Sequence, residues 1–109
     1  MRILLDECTP RVLKHRLRAH HVSTVQEMGW AGLKNGNLLA AADGRFDLFM
    51  TTDKNLRFQQ NLKKYSFAVL LLPSNRVSVI ISLIPEIEAA LNSINAGDFI
   101  EIPASSQSS

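Results

Sequence analysis

The sequence predicts an α/β fold: a mostly parallel five-stranded sheet flanked by helices. Short apolar runs of strand length alternate with segments of helical spacing, the pattern of a parallel sheet with crossover helices. One run, Phe67 to Leu72, is apolar at every position, as a strand covered on both faces must be. The chain has 109 residues, 46% hydrophobic and 20% charged, which suits one ordinary globular core.

Ile3 to Leu5 reads as a buried first strand. Thr9-Pro10 reads as a helix start, with Thr9 as N-cap and Pro10 at the first helical position. Val12, Leu13 and Leu17 carry that helix to about Ala19, and Val22 to Val25 forms a second strand. Residues 26–36 read mainly as loop, because Gly29, Gly32 and Gly36 interrupt them. A helix through Leu38, Leu39, Ala41 and Ala42 stops near Gly44, and Phe46 to Thr51 is the third strand. Asn55 to Tyr65 is predicted helical, and Phe67 to Leu72 is the fourth strand. After the Pro73-Ser74-Asn75 turn, Val77 to Ile94 has helical spacing, with Pro85 either kinking it or starting a second helix. Phe99 to Ile102 is the fifth strand. The expected domain is 1–102. Residues 103–109 read as a polar, disordered tail.

Cys8 is the one cysteine, so no intrachain disulfide can form, which suits a reducing cytoplasm. The start has no signal-peptide pattern, and the longest apolar run is too short for a bilayer. The expectation is a cytoplasmic protein without a membrane partner. Net charge is only +2, but its distribution is uneven. Residues 11–21 and 54–64 hold bases and no acid, whereas 77–102 hold Glu86, Glu88, Asp98 and Glu101 and no base. Solvated helix faces and a nucleic-acid surface both fit that pattern.

Acids stand just past two predicted strands: Asp6 and Glu7 after the first, Asp53 after the third. Parallel neighbours bring such ends to one edge, where open α/β sheets bind ligands. Magnesium needs only one or two carboxylates and keeps several waters. Asp6, Glu7 and Asp53, with neutral oxygens from Thr52 and Asn55, are therefore candidate metal ligands. Capping of the following helices by Asp6 and Asp53 is the competing explanation. Trp30 reads either as a base-stacking residue or as a lid on the core. His20-His21 reads as exposed loop.

Asp6-Glu7-Cys8-Thr9-Pro10, Val25-Gln26-Glu27-Met28-Gly29-Trp30, Leu33-Lys34-Asn35-Gly36 and Thr51-Thr52-Asp53-Lys54-Asn55-Leu56, in that order and spacing, resemble a compact bacterial PIN-like family. Its members are small single-domain proteins, often regarded as toxin-like parts of toxin–antitoxin operons. The resemblance covers residues 1–102. It implies a PIN-like, doubly wound, mostly parallel five-stranded sheet with helices on both faces and strand order 2-1-3-4-5. It implies a magnesium- or manganese-dependent ribonuclease in which Asp6 and Asp53 are the catalytic, metal-binding acids with Glu7 beside the first. It also implies RNA as substrate and an antitoxin protein as partner. Arg11, Lys14, Arg18, Lys54 and Arg57 are the candidate RNA-backbone contacts. Relatives place an acid at the start of the helix after Asn35-Gly36, where this chain has Asn37. Asn37 offers a carbonyl oxygen but no charge, which weakens metal binding and water activation. A catalytically degenerate, partner-binding protein is thus an alternative; most of the 77–94 apolar residues are expected in the core, and a wide stripe there would leave a patch for self-association. A phosphoacceptor receiver-like domain is a further alternative, but the fifth strand ends in Ile100-Glu101-Ile102-Pro103 without the lysine such domains need.

Overall fold

The computed structural model describes residues 1–104. The expected tail therefore lies, beyond Ala104, outside the described residues. Five strands form one sheet: β1 (Arg2–Leu5), β2 (His21–Thr24), β3 (Leu48–Thr51), β4 (Ala68–Leu71) and β5 (Phe99–Glu101). Their order is β2-β1-β3-β4-β5, as expected, and all four pairings are parallel rather than most of them.

Alternation along the strands sorts the core into two layers. Ile3, Leu5, Leu48, Met50, Leu70 and Leu72 face one side, where they meet Leu13 of α1 (Val12–Arg16) and Leu17 at its C-cap. On the same side lie Ile80 of α4 (Val77–Ser82) and Ile87 and Leu91 of α5 (Ile84–Ser93). Leu4, Phe49, Phe67 and Val69 face the other side. They pack on Leu38, Leu39 and Ala42 of α2 (Asn35–Ala42) and Leu56 of α3 (Leu56–Gln59). The architecture is an α/β sheet with helices on both faces, compatible with a doubly wound fold. No helix among the described residues is long and apolar enough to cross a membrane.

Three local expectations need correction. Thr9 does not cap α1: its hydroxyl donates back to the Asp6 carbonyl (2.7 Å), and Arg11 stands at the N-cap with no side-chain bond. Helix α1 ends at Arg16, because the chain must turn through His20 to enter β2. The predicted helix over 55–65 is only α3 followed by a short 3-10 turn, Leu62–Lys64, with Gln60 extended between them. Residues 57–61 supply no apolar stripe for a longer helix to bury, so tertiary packing cannot sustain one. The 77–94 segment takes the second of its two expected forms: it is two helices, with Pro85 at the start of the second. Its Ile80, Leu83 and Ile87 are buried, with Val79 and Ile84 packed against them, so most of its apolar residues are core, as expected.

The connection after β2 shows how a loop is held without regular structure. The Thr24 hydroxyl accepts from the Glu27 N–H (3.0 Å), and the Glu27 carboxylate accepts from the Thr24 N–H (2.9 Å). This reciprocal pair is a capping box. Gly29, at φ +75, then takes the left-handed conformation that glycine adopts without a Cβ penalty. Trp30 closes over the core, edge-on to Phe46 with ring centroids 6.0 Å apart.

Candidate functional site

β1 and β3 are adjacent and parallel, so Asp6 and Asp53 leave the sheet at the same edge. Backbone pairing continues one step past β1, where the Asp6 N–H donates to the Met50 carbonyl (2.9 Å). Thr51 closes the junction. Its side chain is fully buried at the end of a strand whose other residues are apolar. Its hydroxyl donates to Asp6 Oδ2 (2.7 Å) and accepts from the Asp53 N–H (3.0 Å). One hydroxyl thus fixes the Asp6 carboxylate and the Asp53 backbone against each other.

Each aspartate also serves its own turn. Asp6 Oδ1 accepts from the Glu7 N–H (2.8 Å), and Asp53 Oδ1 accepts from the Asn55 N–H (3.0 Å) at the start of α3. The expected capping does not occur: Arg11 and Asn55 stand at the N-caps of α1 and α3 with no side-chain cap, and the two acids instead use one oxygen each to brace the turns after their strands. The other oxygen of Asp53 faces the Asn35 amide at 3.5 Å.

The remaining expected ligands are placed unevenly. Glu7 is exposed and its carboxylate accepts from the Gly32 N–H (3.3 Å), toward the glycine-rich loop. The Thr52 hydroxyl contacts Cys8 Sγ (2.9 Å) rather than an aspartate. Asn55 reaches Asp53 through its backbone, and its exposed side chain makes no hydrogen bond among the described residues. Asn37 is exposed in the first turn of α2, while Asn35, two residues earlier, makes the contact to Asp53. No group of three or more His, Cys, Asp or Glu side chains suited to a metal occurs among the described residues. The acids that meet at this edge are a pair.

The bases separate into two sets. Arg11 precedes α1 just past the first strand, and Lys54 follows Asp53 directly; both are exposed beside the acidic edge. Lys14 is instead paired with Glu27. That contact and the Thr24 N–H hold the Glu27 carboxyl below its usual range. Lys14 and Arg18 line the outer border of β2 with His20 and His21. His20 is not a free loop residue: it lies 3.5 Å from Glu88 of α5 and 3.3 Å from the Met1 amino group. Arg57 lies on the opposite flank, over the Phe58 and Phe99 rings.

Sequence reasoning passed over Thr51 and Asn35. Thr51 carried a usable signal: a polar side chain closing a wholly buried strand needs a partner. Asn35 carried none, because its approach to Asp53 depends on how α2 meets the sheet edge. Comparisons with family models, curated proteins and solved structures return no match for this chain.

Proposed function

We propose that the protein is a metal-dependent ribonuclease of PIN-like type, acting at the Asp6–Asp53 edge. The observation that carries this reading is the shared Thr51 hydroxyl, which joins acids from two strands at the edge where parallel sheets bind ligands. The donor set fits a hydrated magnesium or manganese ion, which takes one or two carboxylates and retains water. Asp6 and Asp53 would hold it, with the Asn35 side-chain amide, which donates to Asp53, as a neutral neighbour. A divalent ion there supplies activation of water and neutralisation of phosphate charge.

The chain's own residues supply orientation. Thr51 presets Asp6, and the Asn35 amide donates to Asp53 Oδ2. Arg11 and Lys54, both exposed in the segments that follow the two acids, would receive substrate phosphates. Calorimetry with manganese, paired with cleavage of a mixed RNA pool, tests the proposal. Wild type should bind one ion and cleave; Asp6→Asn and Asp53→Asn should lose both properties while remaining folded. Cleavage that persists in EDTA, or survives either substitution, rejects it.

A second reading, a degenerate protein that acts by binding a partner such as an antitoxin, draws on the pairing of only two acids with Asn37 uncharged. Manganese binding without cleavage in the same experiment selects it.

A further inference from the structure

Phe58 has no place in the core. Its side chain is 75% exposed, more than any other large apolar residue described. One surface phenylalanine is ordinary by itself. The company this one keeps is not. The Arg57 guanidinium lies 5.0 Å from the centroid of its ring and 5.1 Å from that of Phe99. Lys54, Arg57, Lys63 and Lys64 fall within residues 54–64, which contain no acid. Among the described residues none of these four has a carboxylate within ion-pair distance. A groove of about 460 Å³ runs alongside, lined in part by Arg57, Gln60, Lys63 and Phe99. The one acid on its wall, Asp98, is turned to the Asn95 N–H (2.9 Å).

We infer that Phe58 is a stacking platform for a base of single-stranded RNA, with Lys54, Arg57 and Lys63 receiving the neighbouring phosphates. A ligand complementary to this patch must offer both negative charge and a flat π face. Single-stranded nucleic acid offers both at every residue, and stacking on an aromatic ring tolerates any base. A duplex keeps its base faces stacked inside, and an acidic peptide offers charge without a regular supply of rings. Position supports the same ligand. Helix α3 begins three residues after Asp53 and rises about 1.5 Å per residue. A strand seated on Phe58 therefore passes the acidic edge within a short reach. The choice of RNA rests on the nuclease reading; the stacking role does not.

Fluorescence anisotropy with a labelled single-stranded RNA 12-mer in EDTA tests the inference without requiring cleavage. Phe58→Ala should weaken binding about ten-fold, within the range of one base–aromatic stack. Phe58→Trp should restore it, and binding of the same sequence as duplex should not change with Phe58→Ala. Equal single-strand affinity in wild type and Phe58→Ala overturns the inference. So does an equal loss on single strand and duplex, or a Phe58 dependence seen only with an acidic peptide. The two proposals fail separately. A Phe58-dependent binder that never cleaves with manganese refutes the nuclease and keeps the platform. A metal-dependent nuclease indifferent to Phe58 in this binding assay does the reverse.

Discussion

Thr51 to valine keeps the side-chain volume and deletes one hydroxyl. That hydroxyl serves two partners, so the Asp53 N–H and one Asp6 oxygen would both lose a bond at a buried junction. Leaving a buried polar group unpaired costs about 1–3 kcal/mol. Thr51→Val should lower stability to urea by an amount in that range and weaken manganese binding as Asp6 loosens. Thr51→Ser, which keeps the hydroxyl, should lose less of both. Position 37 makes the opposite test. Asn37 lies in the first turn of α2, which contains no acid. Asn37→Glu adds a carboxylate on the helix that carries Asn35. It should strengthen manganese binding and raise any cleavage, and a carboxylate near a helix N-terminus adds about 0.3–1 kcal/mol of stability. Unchanged metal affinity in a folded Asn37→Glu variant would place position 37 outside the site.

Among the elements, the start of the sheet has its own clasp. Asp47 accepts from the Arg2 N–H (2.7 Å) and from its guanidinium (3.2 Å), joining β1 to the entrance of β3. The Arg2 side chain holds the Asp47 carboxyl below its ordinary range. Asp43 is lowered likewise by the Ser66 N–H and hydroxyl at the entrance to β4. A carboxyl with a depressed folded value binds protons less readily folded than unfolded. Its stabilisation is therefore complete above the ordinary carboxylate range, near pH 4, and is lost as pH falls through the folded value. Urea midpoints should drop between pH 5 and 3 (roughly that carboxylate range), and Asp47→Asn should flatten the drop. Both side chains of the Arg2–Asp47 pair are about half exposed, so solvent screening limits its share to less than about 1 kcal/mol. These clasps also show what the sequence leaves unreadable. Strand order is an expectation of the family resemblance, whereas strand identity follows from the apolar runs and their alternation. Helix ends do not, because Thr9 finds a closer acceptor in Asp6 and residues 57–61 have nothing to bury. Of the site, the strand-end acids were legible from their spacing. The Asn35 contact was not, because it arises from packing between distant segments.

Over the whole molecule the bases do not form one ring around the acids. Lys14 and Arg18 stand along the β2 border, whereas Lys54 and Arg57 belong to the segment that begins at the acidic edge. Single-stranded RNA binding weakens with salt in proportion to the phosphates neutralised, with a log–log slope of about −0.7 per contact. Lys54→Ala and Arg57→Ala should each make that slope shallower by close to this amount, while Arg18→Ala leaves it unchanged. Equal changes from all three would return the β2 border to the RNA path.

The Thr51 bond also has a consequence for timing. Asp6 and Thr51 are separated by 45 positions, and β2 and α2 lie between them in sequence. The bond cannot form until β1 and β3 pair, which requires closing that long intervening segment. Contacts of such sequence separation slow folding, because their entropy is lost before the contact repays it. The acidic edge is thus a late product of folding. In a refolding experiment, recovery of manganese binding should follow assembly of the central sheet, not the earlier appearance of helical signal.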